Sequence, residues 1–176
     1  MSAPAQDPVA LDVAEESPLW RALPEAEALA GRAVAAAARL GGVRLVPGAE
    51  VSLLLTDDAH MREINREWRE KDKPTNVLSF PAVQPDKVSG SPFLGDIAVA
   101  YETLAREALD DHTTVADHFL HLVVHGFLHL LGYDHIETDD AERMERLEVE
   151  ILATLGVQDP YADRPLDEET PSGRMA

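Results

Sequence analysis

Residues 119–135 read FLHLVVHGFLHLLGYDH, and this stretch decides both the core of the fold and the place of its chemistry. From Phe119 to Tyr133 the only strongly polar side chains are His121, His125 and His129. Spanning a bilayer takes roughly 20 apolar residues, so the run is too short for that and reads as a helix buried in a protein core. His125 and His129 are four apart, about one helical turn, so both imidazoles can reach one ion. His135 follows further along. On a continued helix it would sit about 15 Å beyond His125 along the axis. Three ligands at about 2.0–2.1 Å from one zinc cannot be so widely spaced. The helix must therefore stop, and Gly132 stands where a left-handed residue ends a helix and turns the chain back to deliver His135. Three neutral imidazoles leave a fourth position open to water, which is the arrangement of a catalytic zinc and not of a closed structural one. The stretch predicts one zinc per chain, held by His125, His129 and His135, in a hydrolase.

Outward from that helix, the sequence predicts one α+β domain: about four strands in a mostly parallel mixed sheet, packed with helices. Residues 18–40 are alanine-rich and end at Gly41-Gly42, the pattern of a long helix. Residues 43–46 and 51–55 read as strands joined at Pro47-Gly48. Thr56-Asp57-Asp58 caps a helix to about residue 70, with Ile64 and Trp68 on its buried face. Strands are expected at 76–80 and 94–101, with a mobile Pro/Gly/Ser-rich loop at 82–92. Helices follow at 102–109, 115–131 and 138–155, the last with Met144, Leu147, Ile151 and Leu155 on one stripe. The domain is expected over 18–157. Residues 1–17 are expected to be a disordered acidic tail, and 158–176 a loose acidic one.

Composition narrows the chemistry. The 176 residues contain no cysteine, so a transition metal must be held by histidine and carboxylate. Net charge is −18, with four acids between Asp7 and Glu16 and five between Asp159 and Glu169. That balance argues against a broad electrostatic footprint on nucleic acid, although it leaves room for a local basic patch. The N-terminus lacks the basic and apolar regions of a signal peptide, so the expected location is the cytoplasm, with no membrane association.

Metzincin proteases share the spacing of these histidines, but they carry a glutamate directly after the first one as the base that activates water. Here that position is Gly126, which disfavours a peptidase of that kind. The string instead resembles the signature of the YbeY family of bacterial endoribonucleases. The resemblance extends through Trp68-Arg69-Glu-Lys71-Asp-Lys73-Pro-Thr-Asn-Val-Leu-Ser-Phe-Pro81, through Leu94-Gly-Asp96-Ile97, and through Tyr133-Asp134-His135-Ile136-Glu137. His118 and His121 also match positions in the approach to the motif, and the similarity covers roughly 50–157.

That resemblance implies a metal site in a cleft and a zinc-dependent endoribonuclease cutting single-stranded RNA, acting in 16S rRNA maturation and ribosome quality control. It implies ribosomal RNA and the small ribosomal subunit, with its proteins, as partners, and not DNA. It also implies a functional role for Arg69, whose fork-shaped cation suits phosphate oxygens and the charge of a transition state. Lys71 and Lys73 complete a dense basic cluster suited to the RNA backbone. The alternative is a zinc-containing ribosome-assembly factor that acts mainly by binding. No side chain identifies itself as the general base; Asp134 is a candidate for orienting a histidine or accepting a proton.

Overall fold

The computed structural model describes residues 9–69, 75–134 and 137–162. Four strands form one sheet: β1 (Val9–Glu15), β2 (Ala49–Thr56), β3 (Val77–Pro81) and β4 (Phe93–Ala100). Their order across the sheet is β1-β2-β4-β3. β1, β2 and β4 run parallel, and β3 is antiparallel to β4 at the edge. Helices α1 (Ala26–Leu40), α2 (Asp58–Arg69), α3 (Tyr101–Asp110), α4 (Val115–Leu130) and α5 (Thr138–Thr154) complete the fold. This is the mixed α+β sheet that the sequence predicts.

Strand alternation divides the core. Leu53, Ile97 and Ser79 are paired across the sheet and face α1 and α4. Leu54, Ala98 and Leu78, each one residue removed from these in its strand, face the opposite way, where Met61 and Ile64 of α2 cover them. α1 packs closely on α4 through small buried residues, Ala30, Ala33, Ala36 and Ala37 among them. α5 lies against α1 and α4 as an outer layer. Trp20, 1% exposed, donates its indole N–H to the Thr56 carbonyl at 2.8 Å and meets Tyr101 and Phe119 edge to face.

Several expectations need correction. Residues 9–15, taken as tail, are β1: Val9, Leu11 and Val13 alternate with smaller or polar residues, a pattern obscured by the acids around it. Residues 1–8 lie outside the described residues. The expected strand at 43–46 does not form, because β2 already has β1 on one side and β4 on the other. Val43 and Leu45 instead pack against the core without strand pairing. The expected helix over 18–40 is broken. A 3₁₀ turn at Pro18–Ala22 precedes α1, and Leu23, before Pro24, takes a non-helical conformation. The segment 82–92 contains a 3₁₀ turn, Pro85–Gly90, anchored by the fully buried Val88. Trp68 is not on the buried face of α2. That face is Met61, Ile64 and Asn65, while Trp68 is 70% exposed with its ring edge to face against Phe80.

α4 approaches the sheet closely at Gly126. A Cβ there would stand 3.1 Å from both Ile97 Cγ2 and Ser79 Oγ, and Ser79 Oγ donates to the Gly126 carbonyl at 3.0 Å. Ile97 is held in a central strand and cannot yield easily. Gly126→Ala is therefore expected to lose on the order of 1 kcal/mol net, because overpacking outweighs alanine's better helix propensity. A urea melt with an unchanged or higher midpoint would contradict this.

Candidate metal centre

α4 is buried on nearly every side: Phe119, Leu120, Leu122, Val123, Val124, Phe127, Leu128 and Leu130 are all core. One stripe escapes. His118, His121, His125 and His129 follow one another at spacings of three, four and four, the repeat of a single helix face. Consecutive rings along the row meet edge to face at 5.9, 6.4 and 4.6 Å between centroids. The helix opens on Thr114, whose hydroxyl accepts from the Asp117 N–H. It ends as the sequence predicts: Gly132 has φ +108°, its N–H reaches the His129 carbonyl at 3.0 Å, and the Tyr133 N–H reaches the Leu128 carbonyl at 3.1 Å. This Schellman closure reverses the chain immediately after His129.

His125 and His129 face each other, with Nε2 atoms 3.1 Å apart. The other nitrogen of each ring fixes its tautomer. His129 Nδ1 lies 2.9 Å from the Tyr133 carbonyl oxygen, which can only accept, so Nδ1 carries the proton. His125 Nδ1 lies 2.7 Å from Glu148 Oε2. Glu148 is fully buried, and burial opposes its ionisation, yet the hydrogen bonds and charges of His121 and His125 outweigh that and hold its pKa well below the usual carboxylate range. The carboxylate is therefore an acceptor and His125 Nδ1 a donor. With Nδ1 the donor in each ring, both Nε2 atoms turn lone pairs toward the space between them, where one cation can be held by both. Two nitrogens bound to a tetrahedral zinc at about 2.05 Å lie about 3.3 Å apart, so the pair fits that ion.

The structure brings together two of the three predicted ligands; His135 lies outside the described residues, and among those described no larger metal-ligating cluster forms. Arg69 is the last residue of α2. Lys71 and Lys73 also lie outside the described residues. The described chain resumes at residue 75, and the amide of Asn76 donates to Glu107 Oε1 at 2.9 Å, an oxygen that also lies 2.8 Å from His118 Nε2. Asn76 is thus tethered to the far end of the histidine row, about 10 Å along the axis from His125. Asp134 borders a cleft with Val43, Pro85, Tyr133 and Arg143, beside the turn that follows α4.

Comparisons with known proteins identify the family and the fold. Residues 22–156 match the family described as endoribonuclease YbeY. The chain belongs to the YbeY family. The YbeY endoribonuclease of Bradyrhizobium diazoefficiens is 57% identical over 83% of this chain and 81% of its own. That of Paramagnetospirillum magneticum is 50% identical over 89% and 96%, respectively. The fold also matches the solution structure of TM1509 from Thermotoga maritima, with a TM-score of 0.51 at 22% identity over 94% of this chain and all of that one. Among the described residues, no helix is long and apolar enough to cross a membrane.

Within this YbeY chain, the residue missed from the sequence is Glu148. It lies four residues after Met144 and three before Ile151, inside the apolar stripe of α5, and an acid in such a stripe was the available signal. Leu147 and Leu155, expected on that stripe, are half-buried beside it.

Acid titration tests the tether. Burial raises the pKa of Glu107, but hydrogen bonds from His118 and Asn76 and the nearby charges bring it below its ordinary value. A carboxyl with a lowered folded pKa contributes stability that is complete above about pH 4.3 and is lost as pH falls through the folded value. The melting temperature of metal-free protein is therefore expected to decline below that point, and less steeply in Glu107→Gln. Equal acid slopes in the two proteins would contradict the tether.

Proposed function

We propose that this protein is a zinc-dependent endoribonuclease that cleaves single-stranded RNA, acting in 16S rRNA maturation and ribosome quality control in the cytoplasm. The observation that carries the proposal is the 3.1 Å approach of the Nε2 atoms of His125 and His129, on a helix that ends at Gly132. Membership of the YbeY family, whose relatives are named endoribonucleases, supplies the substrate class. The partners proposed are ribosomal RNA and the small ribosomal subunit with its proteins, with neither DNA nor membrane involved.

When bound, one zinc supplies a Lewis acid for developing phosphoryl charge and lowers the pKa of water. The protein's own residues do the rest. His125, His129 and His135 hold the ion as neutral imidazoles, with the tautomer set at Nδ1 by Glu148 for the first and by the Tyr133 carbonyl for the second. Arg69, always protonated, stabilises charge on the phosphoryl oxygens in the transition state. Lys71 and Lys73 hold the RNA backbone. Gly126 offers no carboxylate and packs toward the sheet, away from the histidine stripe, so the residue after His125 takes no part as a base.

The test is cleavage of single-stranded rRNA by zinc-loaded protein, beside His129→Ala, Arg69→Ala and a peptide substrate. Wild type is expected to cut RNA and leave the peptide intact. His129→Ala should lose bound zinc, melt at a lower temperature and lose cleavage. Arg69→Ala should keep its zinc and slow cleavage by about 10²–10³-fold. Undiminished zinc in His129→Ala would overturn the ligand assignment. Zinc-bound wild type that binds rRNA without cutting it would replace the nuclease with a binding factor.

A further inference from the structure

The side chain of Glu148 is the least expected group in the molecule: an acid with no exposed surface, on a helix outside the one that carries the histidines. Its two oxygens are fully used. Oε2 accepts from His125 Nδ1 at 2.7 Å. Oε1 accepts from His121 Nε2 at 3.0 Å and from the Tyr161 hydroxyl at 2.5 Å. The Tyr161 hydroxyl is also 3.3 Å from His121 Nε2, so the three donors converge on one carboxylate. A buried charge with this many donors is costly to disturb, and removing a single partner leaves the rest uncompensated. Tyr161 lies beyond the family-matched span of 22–156, in the segment expected to be loose, where its backbone N–H is held by Asp159 Oδ1 at 2.7 Å.

We infer that Glu148 is a positioning residue for the metal centre, fixing His125 with its proton on Nδ1 and its lone pair on Nε2, and that His121 and Tyr161 hold Glu148 in place for this task. The inference rests on the zinc reading above, and it adds two elements: an acid from α5 and a phenol from the segment after it. His121, although it lies one turn before His125 on the same stripe, is then a donor to the shared carboxylate and not a ligand. The negative charge also offsets part of the ion's charge. Carboxylates that hydrogen-bond a metal-binding histidine typically change metal affinity by about 10–100-fold.

Glu148→Gln keeps the shape but places an amide N–H₂ where one oxygen stood. If that group faces His125 it forces the proton onto Nε2, and in either orientation the charge is gone. Zinc affinity, measured by competition with a chromophoric chelator, is expected to fall about 10–100-fold in Glu148→Gln and by a smaller factor in Tyr161→Phe. The second readout needs no metal: long-range ¹⁵N–¹H spectra of the metal-free wild type near pH 8 should show His125 protonated at Nδ1, and Glu148→Gln should shift that population toward Nε2. Far-UV circular dichroism establishes whether each variant is folded. Unchanged zinc affinity in folded Glu148→Gln, or a wild-type His125 protonated at Nε2, overturns the inference. Wild type that binds no zinc sinks the metal reading instead, and the tautomer spectra then decide the role of Glu148 alone. Should Glu148→Gln fail to fold, Tyr161→Phe and the wild-type spectra still decide it.

Discussion

α4 has to satisfy two opposed demands. It is enclosed by the sheet, α1, α3 and α5, so its surface must be almost wholly apolar, yet it carries four imidazoles in a row. A buried polar group without a partner costs on the order of 1–3 kcal/mol, so each imidazole must be answered by a neighbouring element. α3 answers His118 with Glu107. α5 answers His121 and His125 with Glu148. The turn after the helix answers His129 with the Tyr133 carbonyl. The positions of α3, α5 and the closing turn are therefore bound to the chemistry of one stripe as well as to apolar burial.

This explains why the region around the site is tied together over long sequence distances. Tyr133, whose carbonyl sets His129, also donates its hydroxyl to the Gly41 carbonyl at the end of α1, 2.8 Å away. Asn76, just before β3, reaches Glu107 and so the start of the histidine row. Ser79 on the same strand holds the Gly126 carbonyl midway along α4. Glycine at 126 lets helix and strand come close enough for that bond, so one residue type accounts for both the tight packing and the lack of an acid beside His125.

The sequence was most legible where one local rule sufficed. The stop at Gly132 needed only the reach of three ligands around one ion, and α2, α3, α4 and α5 followed from caps and periodicity to within a residue or two. The cap at Asp57 is present as expected, accepting from the His60 N–H at 2.9 Å. Legibility failed where a segment's fate depended on distant partners. The 43–46 run has the residues of a strand, but β1 occupies the place beside β2. Val9 to Glu15 looks like tail because Asp12 and Glu15 are both exposed on an edge strand. Glu148 was not singled out because its partners are 23 and 27 residues away on another helix.

The chain contains two tryptophans, and the fold places them in opposite surroundings: Trp20 is sealed beneath Tyr101 and Phe119, while Trp68 stands in solvent next to Arg69. Their fluorescence separates accordingly. Emission from Trp20 is shifted to the blue and shielded from iodide, and it changes only when the core opens. Trp68 emits to the red and is open to quenching, so it responds to whatever settles over the end of α2. The native protein thus carries, without any label, one optical reporter of global unfolding and another of events beside Arg69.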